Sequence, residues 1–471
     1  MISGPFGCRT ELYPFQKEGV RLIDGFDGRA ILGDSMGLGK SVQAFAWGNW
    51  RLKEGEATVI VCPATLKEHW KREIKTHFGR AAVVLGGRKP DPTHLQVPWP
   101  RPVFIINYDV LGGRQRHGTW AECLNKNLNL AYLILDECHY LASSTTQRTK
   151  AVRQLADGVP HLVAMSGTPL VNQPTELWPT LNLIDCEAFP NFRRFAARYS
   201  RPEFTPWGVK YKGARRLKEL HSLLKSRYMV RRLKKDVLTQ LPPKVRSLVP
   251  LALTKPEWQE YKRAETDFIA WMKKTHPHKA EKARRAERLV KFNYLKKLIG
   301  ELKVPHVREW VENFLEDSHK LILFTTYRAS CDSYTREFAP ASVKVDGGVT
   351  GRHRQDAIDR FQRDRNCRLF VGNIRAAGVG WNGTVTDSVA FAEFGWTPGE
   401  HTQAEDRPHR IGQTNVVNVY YLFVPGTLES RLLTIIQEKQ KSLDGALDGL
   451  GDGEGDFKIL DLLENAMLGR K

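Results

Sequence analysis

The nine residues from Gly33 to Ser41 read G-D-S-M-G-L-G-K-S, and their types suit the binding of phosphate. Glycines at 37 and 39 let backbone N–H groups close on phosphate oxygens, and the N-terminus of a following helix adds partial positive charge. The apolar run Arg29-Ala30-Ile31-Leu32 reads as a buried strand, and Ser41 to Trp47 as the first turns of a helix. A P-loop requires that strand, loop and helix context. In this reading Lys40 reaches the β- and γ-phosphates and Ser41 holds Mg²⁺, although Asp34 stands where the strict pattern has glycine. A plain glycine turn between strand and helix is the alternative. A second constellation, Ala131 to His139, reads A-Y-L-I-L-D-E-C-H. It is an apolar strand that delivers two carboxylates at its C-terminal end. Asp136 suits a magnesium ion, directly or through water, and Glu137 suits the positioning and polarising of an attacking water. Taken alone, Asp-Glu at a strand end is also common in solvated loops.

These residues need a scaffold that brings strand ends together. Thr58 to Cys62, Val103 to Asn107, Ala131 to Asp136 and His161 to Met165 are apolar strand-like runs separated by helical patterns. Such alternation predicts an α/β fold with a parallel sheet covered on both faces and functional loops at the strands' C-terminal ends. Leu12 to Asp24 has helical spacing and carries Gln16 just ahead of the P-loop. In the second half, a helix at 306 to 316 precedes the strand Lys320 to Thr326, and Leu369 to Asn373 reads as another strand. Residues 251 to 303 are strongly helical.

The chain has 471 residues with 41% hydrophobic content, enough for two or three domains with cores of their own. No apolar run approaches the roughly 20 residues of a membrane span, and the first residues lack the basic start and apolar centre of a signal peptide. A soluble, intracellular protein is therefore expected, cytoplasmic in a bacterial or phage-infected cell or nuclear in a eukaryote. Seven scattered cysteines form no C-x-x-C pair, so neither zinc nor a disulfide framework is expected. The net charge is +20, and it is clustered. Residues 191 to 235 hold fifteen Lys/Arg against two acids, and 273 to 297 hold ten against two. Clustered excess of this kind is the footprint of a polyanion site, most simply nucleic acid.

The motifs D-S-M-G-L-G-K-S, D-E-C-H, S-G-T-P-L-V-N followed by E-L-W, and R-R-L-K-K-D-V-L-T-Q-L-P-P-K at 231 to 244 occur in that order. With Q-A-E-D-R-P-H-R-I-G-Q at 403 to 413, the set resembles the SWI/SNF-type branch of the superfamily 2 helicase-like ATPases. Within that branch the compact annealing-helicase, HARP-related group is the most similar. The resemblance covers roughly residues 10 to 440. It implies two tandem RecA-like lobes with helical insertions and a short acidic C-terminal tail: lobe 1 over 1–240 with an insertion at about 170–240, lobe 2 over 241–443 with a helical protrusion at about 255–300, and an acidic Gly-rich tail over 444–471. It implies ATP and Mg²⁺ as cofactors, bound in a cleft between the lobes. It gives Gln16 the adenine edge, Gly378 of the I-R-A-A-G-V-G motif a place at the nucleotide, and Gln403, Arg407 and Arg410 catalytic roles, the arginines as fingers on one face of a helix.

The same resemblance implies a monomer that moves on duplex or branched DNA, contacts it without reading sequence and displaces a bound protein. The DNA contacts it suggests are Thr65, Lys67, Asn107 and Tyr108 in lobe 1, with Thr325, Arg375 and Thr384 in lobe 2. A strand-separating DNA or RNA helicase is the competing enzyme reading, and it needs a wedge that the sequence does not reveal. A non-hydrolysing scaffold is the third reading. Two further departures from the family pattern are Trp381, expected against DNA or the cleft, and Gly395, expected to cost a hydrogen bond behind the arginines.

Overall fold

The computed structural model describes residues 4–87, 89–113, 118–167, 173–205, 208–274, 281–317, 320–349, 351–378 and 380–448, with Leu462, Leu463, Ala466 and Met467 beyond them. At 271–274, 281–286 and 439–448 it describes the backbone alone. Two compact units make up the chain, their main bodies being Met1–Gln240 and Leu241–Lys441.

In the first unit, β1 (Arg29–Leu32), β2 (Ala57–Cys62), β3 (Val83–Val84), β4 (Val103–Asn107), β5 (Leu130–Asp136) and β6 (His161–Met165) alternate with helices. The helices include α1 (Pro14–Gly25), α2 (Lys40–Arg51) and α3 (Lys67–Phe78). Strands β2, β4 and β5 are buried along almost their whole length. That is the burial of a parallel sheet with both faces covered, and it explains why these strands read as continuous Val/Ile/Leu runs. The register is parallel at each pairing, in the order β3-β4-β2-β5-β6-β1-β9, where β9 is Met229–Val230.

The 170–240 insertion departs from the helical expectation. Besides helices at Trp178–Ile184, Phe192–Tyr199 and Leu217–Arg227, it holds an antiparallel hairpin, β7 (Arg201–Thr205) with β8 (Gly208–Lys212). It also returns a strand, β9, to the edge of the main sheet beside β1.

The second unit holds a six-stranded parallel sheet, in the order β10-β15-β14-β11-β13-β12. These are β10 (Lys244–Pro250), β11 (Leu321–Thr325), β12 (Ser342–Val345), β13 (Leu369–Asn373), β14 (Ser388–Phe391) and β15 (Val417–Phe423). Long helices at Lys255–Lys274 and Glu281–Leu302 fill the stretch expected to be helical. Trp381 is a core residue and is not turned toward a ligand: its ring stacks on Phe370 at 4.4 Å and its indole N–H donates to the Ala377 carbonyl at 2.6 Å. The last helix, Leu428–Asp448, runs past Gly445, so helix occupies the first residues of the expected linker. The rest of that tail lies outside the described residues, except for Leu462, Leu463, Ala466 and Met467, of which Leu463 and Met467 are buried. Among the described residues, no helix is long and apolar enough to cross a membrane.

Candidate nucleotide site

In the first unit the loops at the C-terminal ends of β1, β5 and β6 converge. Gly37 (φ 82°) and Gly39 (φ 72°) take the left-handed backbone that only glycine adopts without strain, and α2 begins at Lys40 with Ser41 in its first turn. Lys40 Nζ donates to the carbonyls of Asp34 at 2.8 Å and Ser35 at 3.3 Å, so the ammonium is curled over its own loop. From the β6 side, Gly167 closes on the same place. A Cβ there would drive into Met36 and come within 3.4 Å of Lys40 Nζ. Thr168 to Asn172, the rest of that motif, lie outside the described residues.

Gln16 is buried, and its amide is used within the protein: Tyr13 N–H donates to Oε1 at 3.0 Å, and Nε2 donates to the Leu38 carbonyl at 3.1 Å. It ties the start of α1 to the P-loop.

Asp136 ends β5 nearly buried. Trp70 Nε1 on α3 donates to its Oδ2 at 2.8 Å, the Glu137 N–H donates to Oδ1 at 2.9 Å, and the Tyr108 hydroxyl donates to its main-chain carbonyl at 2.8 Å. Burial first, and the charge of Glu137 second, push the Asp136 carboxyl up to about 7, against the pull of Trp70 and Lys40. Glu137 itself sits in the left-handed region at φ 52°, which is uncommon for a residue with a Cβ and is the type of local strain found at functional sites. Its Oε2 lies 3.2 Å from His139 Nδ1 and accepts from the Ser166 hydroxyl at 3.4 Å. Two adjacent carboxylates, one buried and one half-buried, together with the Ser41 hydroxyl in the first turn of α2, are oxygen donors of the kind that suits a hard cation. A divalent cation there would reverse the penalty on Asp136, so the residues present fit Mg²⁺.

In the second unit the expected helix face does not exist. The helix Pro398–Glu405 ends before Arg407, and Pro408 stands between the two arginines. A proline inside a helix removes an N–H and clashes with the preceding turn. The arginines are brought together by the turns that follow: Arg407 Nη1 and Arg410 Nη1 each donate to the Trp381 carbonyl at 3.1 Å, and Arg407 Nε donates to the Gln403 carbonyl at 3.0 Å. Beneath them Glu405 is buried, held by Lys244 Nζ at 2.8 Å and by both nitrogens of the Arg246 fork at 2.8 and 2.6 Å. Burial would raise the Glu405 carboxyl, but the charges of Lys244 and Arg246 overcome this and bring it to about 2.

Residues 15–303 match the SNF2-related domain, and 303–412 match the helicase conserved C-terminal domain. The chain belongs to the SNF2-related family. It is 32% identical, over 92% of its length, to the SWI/SNF-related matrix-associated actin-dependent regulator of chromatin subfamily A-like protein 1 of Xenopus laevis, covering 44% of that relative. It is 30% identical, over 98% of its length, to the human DNA annealing helicase and endonuclease ZRANB3, covering 43% of it. The chain thus spans under half the length of these curated relatives. Among solved structures, the SWI2/SNF2 ATPase core of Sulfolobus solfataricus in complex with dsDNA is similar at 22% identity over 96% of each chain, with a TM-score of 0.44.

Within the SNF2-related motifs, the structure separates the remaining expected residues. Tyr108 is buried with its hydroxyl spent on Asp136, and Thr325 is buried with its hydroxyl 2.8 Å from Cys331 Sγ. Both side chains close their strand ends from inside. Asn107 is also buried, at the last position of β4. Thr65 and Lys67 are half-buried at the start of α3, Lys67 Nζ donating to the Leu85 carbonyl at 3.2 Å. Arg375 is exposed and pairs with Glu400 at 2.6 Å; Thr384 is half-buried, and Gly378 is buried at the end of the short helix after β13. Gly395 costs no bond, since Glu400 Oε2 accepts the Trp396 N–H at 2.9 Å and occupies the space a Cβ at 395 would need. Sequence reasoning missed Trp70, His139, Glu405, Lys244 and Arg246. His139, Glu405 and Lys244 lie within motifs it quoted and Arg246 lies two residues past one; the buried charge of Glu405 would have been the signal.

Proposed function

We propose that the chain is a DNA-dependent ATPase that translocates on duplex or branched DNA to remodel DNA or protein–DNA complexes. The observation that carries this reading is the convergence of the left-handed P-loop, Lys40 and the adjacent carboxylates Asp136 and Glu137 in a chain of the SNF2-related family. Lys40 and the loop N–H groups bind the β- and γ-phosphates of ATP, with Gln16 and Gly378 lining the nucleotide. Ser41 and Asp136 hold Mg²⁺, which when bound supplies positive charge to the phosphate oxygens. Glu137, aimed by His139 and Ser166, orients the attacking water, and Arg407 and Arg410 stabilise the charge that grows on the transferred phosphoryl group, with Gln403 supporting the turn they leave. Residues 1–240 are read as the ATP-binding lobe, 241–443 as the second lobe and 444–471 as a tail.

DNA as substrate is supported by the clustered basic charge and by the names of the relatives. Thr65, Lys67, Asn107, Tyr108, Thr325, Arg375 and Thr384 mark the strand-end segments proposed to contact the DNA backbone, the buried Asn107, Tyr108 and Thr325 through their main chain; such contacts position without reading bases. One observation favours strand separation as a second reading: the β7–β8 hairpin, within the stretch of fifteen Lys/Arg, carries Phe204 at 82% exposure.

The test is ATP hydrolysis with no nucleic acid, single-stranded DNA, duplex DNA, forked DNA and RNA, at rising salt. Strong stimulation by duplex or forked DNA that fades with salt is the expected result. Stimulation by single strands or RNA only would replace this reading with a strand-separating helicase.

A further inference from the structure

Asp34 is fully buried. A buried carboxylate has to be met by charge and hydrogen bonds. Its partner is Arg232, from the R-R-L-K-K-D run: the Arg232 N–H donates to Oδ1 at 3.0 Å, Nε to Oδ1 at 3.1 Å and Nη2 to Oδ2 at 2.5 Å. Gln43 on α2 closes the group. Its Nε2 donates to Asp34 Oδ2 at 3.1 Å, and its Oε1 accepts from Arg232 Nη2 at 2.6 Å. The remaining nitrogen, Nη1, donates to the Phe15 carbonyl on α1. One guanidinium therefore joins the P-loop, the helix behind it and the helix that carries Gln16. Gly19 on α1 makes the room, since a Cβ there would run into Gln43 Oε1 and Arg232 Nη2.

The main chain repeats the arrangement. Ile31, Gly33 and Ser35 donate their N–H groups to the carbonyls of Tyr228, Val230 and Arg232 at 2.7, 2.8 and 2.9 Å, so the strand β9 continues along the first half of the P-loop. Arg231 Nη1 donates to the Gly33 carbonyl at 2.9 Å. The gripped residues, Asp34 and Ser35, are those whose carbonyls hold Lys40. Beyond Arg232 the chain continues to Leu241, where the second unit begins.

We propose that Arg232 is a positioning residue for the nucleotide, fixing the P-loop through Asp34, and that this is why the loop has an acid in place of its first glycine. Only a planar fork makes these bonds together, so lysine is a poor substitute. The proposal rests on the reading that the Lys40 loop binds ATP.

The test uses the whole chain as wild type, Arg232→Ala, Arg232→Lys, Asp34→Asn, and Asp34→Asn combined with Arg232→Gln. Hydrolysis is followed against ATP concentration, binding of a fluorescent ATP analogue is measured alongside, and thermal unfolding is recorded for each. Arg232→Ala is expected to raise KM for ATP and the analogue's Kd about tenfold, with a smaller change in kcat. Arg232→Lys recovers part of this. The combined variant, which strands no buried charge, unfolds near the wild-type temperature and keeps the raised KM. Loss of kcat at unchanged KM, following the folded fraction, would mean a role in folding alone and overturn the proposal. Unchanged kinetics in all variants would overturn it too. A wild-type chain that neither binds nor hydrolyses ATP would instead remove the nucleotide reading, and this proposal with it.

Discussion

The strand-end loops of the two units solve the same problem differently. In the first unit three acids of the strand-end loops are each fixed by a neighbouring element: Asp34 by the Arg232 fork, Asp136 by the Trp70 indole, Glu137 by His139 and Ser166. In the second unit the two candidate arginines share the Trp381 carbonyl and each donates its Nε to a carbonyl one turn back, of Gln403 and Asp406, while the ion pairs lie one layer down, between Glu405 and Lys244 with Arg246. A hydrogen bond from a charged guanidinium to a carbonyl contributes about 1.5 to 3 kcal/mol net, whereas breaking a buried charge pair costs about 3 to 5 kcal/mol. The first set of loops is thus held mainly by side chains of neighbouring elements. The second has a rigid, ion-paired base with the two arginines as arms on main-chain carbonyls above it.

The sharpest way to break this contrast is Arg410→Ala. If the arms act in the transition state, hydrolysis falls about 1000-fold while ATP-analogue binding and the unfolding temperature stay close to wild type. Near-normal turnover would make Arg410 a brace of its own loop. Glu137→Gln is expected to cost about 100-fold in hydrolysis with nucleotide binding retained, measured by single-turnover assays; loss of binding instead would show the carboxylate shaping the P-loop.

The rigid base is tested through stability. Glu405→Gln is expected to lower unfolding free energy by about 3 kcal/mol in urea titrations. The pH dependence has a definite sign: the folded carboxyl lies near 2, below its ordinary 4.5. Its contribution is therefore complete above about 4.5 and lost as pH falls toward about 2. The Gln variant flattens the stability curve in that window, and an unchanged curve would place the acid sensitivity elsewhere. The smallest effect belongs to Arg375→Ala. Its pair with Glu400 is exposed and contributes less than about 0.5 kcal/mol to folding, yet its loss should reduce the slope of log DNA affinity against log salt by about one.

Much of the scaffold was legible because its signals are local. The apolar runs of β2, β4 and β5, the glycines at 37 and 39 and the acids ending β5 each announce themselves within ten residues. The insertion's hairpin was legible too: E-F-T-P-W-G-V-K-Y-K has a proline and glycine at its centre and alternation on either side. Basic composition drew attention away from it. Pro408 likewise announced that Arg407 and Arg410 could not share a helix face. What no local pattern could give is the partner of a buried charge. Asp34 looked like a defect in a glycine motif until Arg232 stood beside it, and Tyr108 looked like a surface contact until its hydroxyl was found beneath Asp136. Those pairings are properties of the sheet order, which places β9 next to β1 and sets β4 and β5 on either side of β2.

That strand order has a consequence for the nascent chain. Asp34 waits for a counter-charge 198 positions further on. A ribosome-bound chain that has emerged only through β6 already owns Lys40, Asp136 and Glu137, but its P-loop has no outer wall and a carboxylate with nowhere dry to go. On the reading that the Lys40 loop binds ATP, nucleotide competence would be among the last properties the first unit acquires during synthesis, arriving with the strand that leads into the second.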